Sequence, residues 1–241
     1  MSDAADANAA VWKSDQGVSY WVSSADERER RHAGQRRLMA ELLPFSGDEQ
    51  FVFVDLGAGT GAAARAILDR YPAAQAVLAD FSAQMTQEAR AELAGYAGRC
   101  RYVEFDLARA SWPADIPATV DAVVSSLCVH HLPDERKQQL FREIFARLAP
   151  GGWYLNYDPV TAGDPAVEAV WQRVNDGRDP AAAHKRANRT AHEQLRYENH
   201  VRYMVPLAPQ VDFLRAAGFE AVDVYWKELD YVLYGGRRPV T

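Results

Sequence analysis

The residues best equipped for chemistry crowd the stretch FVFVDLGAGTGA, Phe51 to Ala62, where Asp55 precedes glycines at 57, 59 and 61. Glycines directly after an apolar run let the backbone turn sharply and approach a ligand with no Cβ in the way. Gly57, Gly59 and Ala62 also satisfy the dinucleotide fingerprint, so glycine spacing alone leaves the ligand open. Asp55 narrows the choice. A pyrophosphate on the following helix N-terminus would be repelled by a carboxylate two residues before the first glycine, whereas ammonium and sulfonium groups would be attracted.

Two more acids fall at comparable places. Asp80 ends a second apolar run about 20 residues after the glycines, where a carboxylate can accept both hydroxyls of a ribose. Asp106, in Glu104-Phe105-Asp106-Leu107, follows a third run. There an acid can accept an adenine amino proton while Leu107 packs against the ring. Each acid taken singly could instead cap a helix or close a turn. Three at consecutive strand ends suit an adenosine-bearing cation better than a phosphate.

The elements that must position them alternate in the βαβ manner, which predicts a mostly parallel sheet. Strands are expected at Phe51–Asp55, Ala76–Asp80, Arg101–Glu104, Val120–Ser125 and Trp153–Tyr157, with helices over Ala62–Tyr71, Ala83–Ala94 and Glu135–Leu148. In the last helix Leu140, Ile144 and Leu148 form an apolar stripe, with Asp134 as the expected N-cap and Ala149-Pro150-Gly151-Gly152 as the stop. A further helix around Val211–Ala217 precedes β-rich runs at Ala221–Trp226 and Tyr231–Tyr234. Their short connection excludes a crossover helix, so they should pair antiparallel. In an open α/β sheet the ligand lies beyond the carboxyl ends of the strands, where Asp55, Gly57, Asp80, Asp106 and Ser126 fall.

These motifs resemble those of the class I S-adenosylmethionine-dependent methyltransferases. The likeness spans roughly residues 50–157 and the closing segment, through Val54-Asp55-Leu56-Gly57-Ala58-Gly59-Thr60-Gly61, Ala79-Asp80-Phe81-Ser82 with Met85, Phe105-Asp106-Leu107, Ser125 to Leu132, and Leu148 to Gly152. The resemblance implies a Rossmann-like α/β fold: a seven-stranded, mostly parallel sheet with an antiparallel final strand and helices on both faces. It implies S-adenosyl-L-methionine as cofactor, with Asp55, Gly57, Ala58, Gly59 and Gly61 on the methionine moiety, Asp80 on the ribose, Asp106 and Leu107 on the adenine, and Ser126 beneath the sulfonium. Phe81 and Met85 belong to the same adenosine wall.

Two segments frame this body, and the chain is expected to be a single domain over residues 1–241. Residues 1–43 form an N-terminal helical flap, in which Trp12, Tyr20 and Trp21 either cover the site or staple the first helix down. Its arginines, interspersed with acids, suit a solvated face. Residues 160–206 form a helical insert after the fifth strand, a length that usually carries a lid or a binding wall. Parts of it, with Arg196, resemble the carboxy-S-adenosylmethionine synthases, which use an arginine to grip an added carboxylate.

For the chemistry itself, His131 is the candidate base beside the expected methyl group, with helix capping or packing as the alternative. Asp158 and Tyr157 end the fifth strand, where they either orient an acceptor or close the turn. Tyr20, Arg196, His200 and Tyr203 complete the expected acceptor wall. A basic insert favours an anionic small molecule, unless it is only a solvated helix. His184, His192 and His200, spaced by eight, are too spread around a helix to make a metal site. The magnesium-binding acids of catechol-type enzymes are replaced by Ser125-Ser126, so no metal is expected.

Composition bounds the rest. Net charge is −6 over 241 residues, which argues against a nucleic-acid partner. No apolar run approaches the ~20 residues of a membrane span. The two cysteines, Cys100 and Cys128, read as small hydrophobes. A cytoplasmic monomer or homodimer that methylates an O or N atom of a small molecule is the expectation. The alternatives are a cofactor-modifying synthase and a silent binder of the cofactor.

Overall fold

The computed structural model describes residues 25–241. In chain order it contains α1 (Ala25–Leu42), β1 (Val52–Leu56), α2 (Ala62–Arg70), β2 (Gln75–Asp80), α3 (Ala83–Glu92), β3 (Cys100–Glu104), β4 (Val120–Ser126), α4 (Asp134–Arg147) and β5 (Leu148–Pro159). There follow α5 (Pro165–Arg178), α6 (Pro180–Ala187), α7 (Ala191–Val201), α8 (Leu207–Ala217), β6 (Glu220–Glu228) and β7 (Tyr231–Arg237). Seven strands make one sheet in the order β3-β2-β1-β4-β5-β7-β6. The first five run parallel, while β7 lies antiparallel between β5 and β6. The strand order turns between β1 and β4, and that turning point opens a crevice at the carboxyl ends.

The parallel strands are apolar on both sides because helices cover both faces. Val54, Leu56, Val77 and Val123 pack with Leu140, Phe141 and Ile144 of α4 and Leu214 of α8. Phe53, Leu78, Ala122 and Val124 face Met39 of α1, Ile67 and Leu68 of α2, and Ala89 of α3. This two-sided burial supplies most of the stabilisation, at about 25 cal/mol per Å² of apolar area. At the turning point, the Ser125 hydroxyl donates to the Leu56 carbonyl at 2.8 Å and ties the ends of β4 and β1 together.

The structure departs from the sequence expectations at α4. Pro133 takes the N-cap position and Asp134 is the first helical residue. The Ala149–Gly152 run does not form a loop; it is the beginning of β5, with Gly151 at φ 82° and Val120 paired to Leu148. Arg238 replaces a loop cap at this end, donating to the carbonyls of Phe145 and Ala146 at 3.3 and 3.2 Å. On the arginine-rich α1, Arg30, Arg31 and Arg37 are exposed as on a solvated face, whereas Arg36 and His32 are buried against the body. Both cysteines are free thiols of intermediate exposure.

Candidate active site

The glycine loop begins where β1 ends. Gly57, Gly59 and Gly61 all hold positive φ, at 66°, 53° and 82°. A Cβ on Gly57 would lie 2.0 Å from Cys128 Sγ, and one on Gly61 would lie 2.6 Å from Leu93 Cδ1. The glycines at 57 and 61 are therefore required twice, by backbone conformation and by space. The Gly57 N–H donates to the Ala79 carbonyl at 2.8 Å, so the loop is moored to the end of β2.

Asp55 points to the α2 side of the sheet, and its Oδ2 accepts the Ala64 N–H at 3.1 Å within the first turn of α2. It is 1% exposed. Burial pushes its carboxyl up to about 7; the Ala64 bond and the positive charge of Arg36 oppose that rise, and nearby Asp80 adds to it. Asp80 bridges loop and helix: Oδ2 accepts the Gly59 N–H at 2.8 Å and Oδ1 accepts the Ser82 N–H at 2.9 Å. Its carboxyl is raised by burial against these opposing backbone bonds. Met85 is buried, and its N–H donates to the Ser82 hydroxyl that caps α3. Asp106 is more open. Its Oδ1 closes a turn on the Ala108 N–H at 3.0 Å, while neighbouring Leu107 is buried beside the Gly57 position.

On the β4 side, Leu127 holds φ 59°, an uncommon left-handed position for a branched residue, directly after Ser126. The Ser126 hydroxyl oxygen is buried with no hydrogen-bond partner among the described residues. An orphaned hydroxyl beside a loop closed to any Cβ is what a polar ligand at this turning point would complete. The acids, glycines and Ser126 thus fit an adenosyl cofactor carrying cationic groups.

Beyond β4 a short 3₁₀ turn, Val129–His131, carries two histidines. Asp158, at 0% exposure on β5, accepts the His130 ring Nδ1 at 2.7 Å with Oδ1 and the His130 backbone N–H at 2.8 Å with Oδ2. Burial lifts the Asp158 carboxyl to about 7 and lowers the imidazoles of His130 and His131, so both rings are neutral at ordinary pH. The polar chain runs on inward. The Asn156 amide reaches Asp158 at 3.3 Å and the Tyr234 hydroxyl at 3.0 Å, and that hydroxyl donates to Gln210 Oε1 at 2.7 Å.

The expected acceptor residues separate into two groups. His200, in the last turn of α7, lies against His130 and His131 with ring centroids 4.8 and 5.3 Å apart. Arg196 lies one turn earlier on the same helix, and the Tyr203 carbonyl accepts from buried Lys137. Tyr157 is elsewhere. It is buried on the other face of β5, hydrogen-bonded to His32 at 2.8 Å and packed against Tyr231. Tyr20 lies outside the described residues. The insert's basic groups are partly used internally, with Arg186 paired to Asp176 and Arg189 lying 3.7 Å over the Tyr197 ring.

The sequence reading missed two features. His200 joins His130 and His131 across a long chain separation, although periodicity compares it only with His184 and His192. Arg36 is buried near Asp55, and no local pattern distinguishes it from its exposed neighbours. The first has a retrospective signal in the adjacent His130-His131 pair. The second has none.

Comparison with known proteins agrees with this geometry. Residues 53–152 match the methyltransferase domain family. The trans-aconitate 2-methyltransferase of Azoarcus sp. (strain BH72) is 34% identical over 132 residues, covering 55% of this chain and 46% of that protein. The malonyl-[acyl-carrier protein] O-methyltransferase of Xylella fastidiosa (strain M23) is 35% identical over 126 residues, covering 52% and 40%. The chain thus spans about half the length of these curated relatives or less. In fold, it matches PigF with SAH at a TM-score of 0.66 and 18% identity, covering 94% of this chain and 60% of that one. Residues 53–152 thus resemble a methyltransferase domain, and the fold is the one found in PigF with SAH.

Proposed function

We propose that this protein transfers a methyl group from S-adenosylmethionine to an oxygen atom of a small, carboxylate-bearing acceptor. The observation that carries the cofactor half is the positive-φ glycine loop held between Asp55 and Asp80, with the Gly59 N–H bonded to Asp80. When bound, the cofactor supplies a methyl group on positively charged sulfur. In-line displacement from such a centre depends chiefly on placement of the nucleophile.

The residues divide the task. Asp55, Gly57, Ala58, Gly59 and Gly61 hold the methionine moiety, Asp80 the ribose, Phe81, Met85, Asp106 and Leu107 the adenosine wall, and Ser126 the floor. Acids as acceptors are supported by the two relatives, whose names specify trans-aconitate and a malonyl group, and by the cations of the insert. A carboxylate is already ionised near neutral pH and needs no base. His131, held neutral by burial, can accept a proton where the acceptor is a hydroxyl. Asp158 acts through His130 and is a positioning residue. Arg196, His200 and Tyr203 line the insert side of the acceptor space, which residues 160–206 cover.

The test pairs binding with turnover. S-adenosylmethionine binding by calorimetry is expected to weaken at least about a hundredfold in Asp80→Ala, which loses both ribose hydrogen bonds to a charged acceptor. The wild type should form the demethylated product with di- or tricarboxylic acids and not with amines. Unchanged affinity in Asp80→Ala refutes the ribose assignment, and turnover confined to amines refutes the acceptor class.

A further inference from the structure

Three imidazoles converge at the acceptor end of the crevice. His130 and His131 come from the 3₁₀ turn after β4, and His200 from the last turn of α7, which packs against that turn. One ligand-capable nitrogen from each lies within 4.8 Å of the other two. Around a four-coordinate ion with Zn–N bonds of about 2.0 Å, neighbouring nitrogens sit roughly 3.3 Å apart. Closing the difference takes rotation of these neighbouring rings, whose centroids lie 4.0, 4.8 and 5.3 Å apart.

The surroundings have the form that metal-binding histidines require. Asp158 holds the His130 ring through Nδ1, which fixes the tautomer that leaves the Nε2 lone pair available. That Nε2 is buried and has no hydrogen-bond partner among the described residues. A buried, unsatisfied ring nitrogen is costly, at ~1–3 kcal/mol, unless something completes it. Asp158 is itself fixed by the His130 backbone N–H and by Asn156, so the orienting carboxylate is as rigid as the strand beneath it. Lys137 is the opposing charge, since its ammonium is buried close to His130. It is paired with Asp134 at 3.0 Å and held by the Tyr203 carbonyl, and Asp158 offsets it from the other side.

We propose that His130, His131 and His200 bind one divalent transition-metal ion of the zinc or cobalt class, with Asp158 orienting His130. An all-imidazole set selects this class over magnesium or calcium, which take oxygen ligands. Three protein ligands leave a fourth position open to water or to an incoming ligand. An oxygen of the acid acceptor would occupy it, with His131 then a ligand and not a base, a role that rests on the methyl-transfer reading; the metal site itself does not.

Tag-free protein, stripped with a chelator and kept without S-adenosylmethionine, is titrated with Co²⁺ and Zn²⁺ by calorimetry and visible absorption. One ion per chain is expected, with the d–d absorption of nitrogen-ligated, low-coordinate Co²⁺. Affinity should fall at least about tenfold in His200→Ala, and tenfold to a hundredfold in Asp158→Asn, as for other orienting partners. His184→Ala removes an exposed histidine of the same insert and should leave binding unchanged. Thermal melts confirm that each variant is folded. If Asp158→Asn fails that check, His200→Ala on the outer helix decides. Absence of stoichiometric binding, or equal loss in His184→Ala and His200→Ala, overturns the proposal. Loss of S-adenosylmethionine binding with the metal site intact would instead overturn the methyl-transfer reading alone.

Discussion

Acidification from pH 7.5 to 6 is expected to weaken S-adenosylmethionine binding through Asp55. Burial raises this carboxyl from 3.8 to about 7 in the free protein, with Arg36 and the Ala64 N–H only partly opposing the rise. A ligand bringing an ammonium and a sulfonium to that carboxylate favours its ionised form, so binding releases a proton wherever the free protein holds one. With a pKa of about 7, roughly one Asp55 in eleven is ionised at pH 6 and about three in four at pH 7.5. Affinity should therefore fall about eightfold over that interval, which is ~1.2 kcal/mol. The upper limit of about pH 7.5 keeps most of the ligand's own amino group protonated. Calorimetry in two buffers of different ionisation enthalpy measures both the affinity and the proton released. Asp55→Asn should bind weakly at both pH values, with no proton release assignable to this site. The same raised pKa means that Asp55 favours the free fold below its ordinary 3.8 and loses that contribution as pH rises through about 7. Asp55→Asn should then gain stability relative to the wild type above pH 7. A wild-type affinity flat from pH 6 to 7.5, or an Asn variant that keeps the slope, would refute the electrostatic role given to Asp55.

Gly57→Ala is expected to abolish cofactor binding and lower stability by ~2–4 kcal/mol in urea unfolding, because its Cβ would meet Cys128 Sγ at 2.0 Å and a positive φ. Adding Cys128→Ala to it should recover only a small part of the stability, since it removes the Sγ contact but leaves the Cys128 Cβ at 2.6 Å. Tyr234→Phe leaves Gln210 Oε1 without its donor and takes the Asn156 amide's 3.0 Å contact away. A loss of ~1–3 kcal/mol is expected in urea unfolding, with S-adenosylmethionine affinity within twofold of wild type.

What the sequence revealed and what it hid follow from the range of the interactions. Strands β1, β2 and β4 are apolar on both faces and bounded by glycines or acids, so their positions were legible to within a residue or two. The positions of Asp55 and Asp80 were legible because each stands at or next to the end of its own strand. The start of β5 was hidden because Pro150 and two glycines read as a breaker, while pairing of Val120 with Leu148 and of Trp153 with Arg237 overrides that local preference. Tyr157 and Asp158 show the limit of reading strand ends. Adjacent residues point to opposite faces, and only the packed structure says that the acid reaches the histidines while the tyrosine reaches His32. The histidine cluster was invisible because it joins residues from a turn and from a helix of the insert, with no common period.

The inserted position of β7 gives the two ends of the crevice different folding histories. The hydrogen bonds within the glycine loop itself are short-range: Asp55 to Ala64 spans 9 residues, and Gly59 to Asp80 spans 21. The buried polar chain that steadies Asp158 closes only when Asn156 finds Tyr234, 78 residues later. Loop-closure entropy must be met before such a contact returns any stabilisation. As the polypeptide emerges from the ribosome, the glycine loop and its acids can assemble while β7 is still unmade. The glycine loop's own bonds thus form before the histidine end is secured.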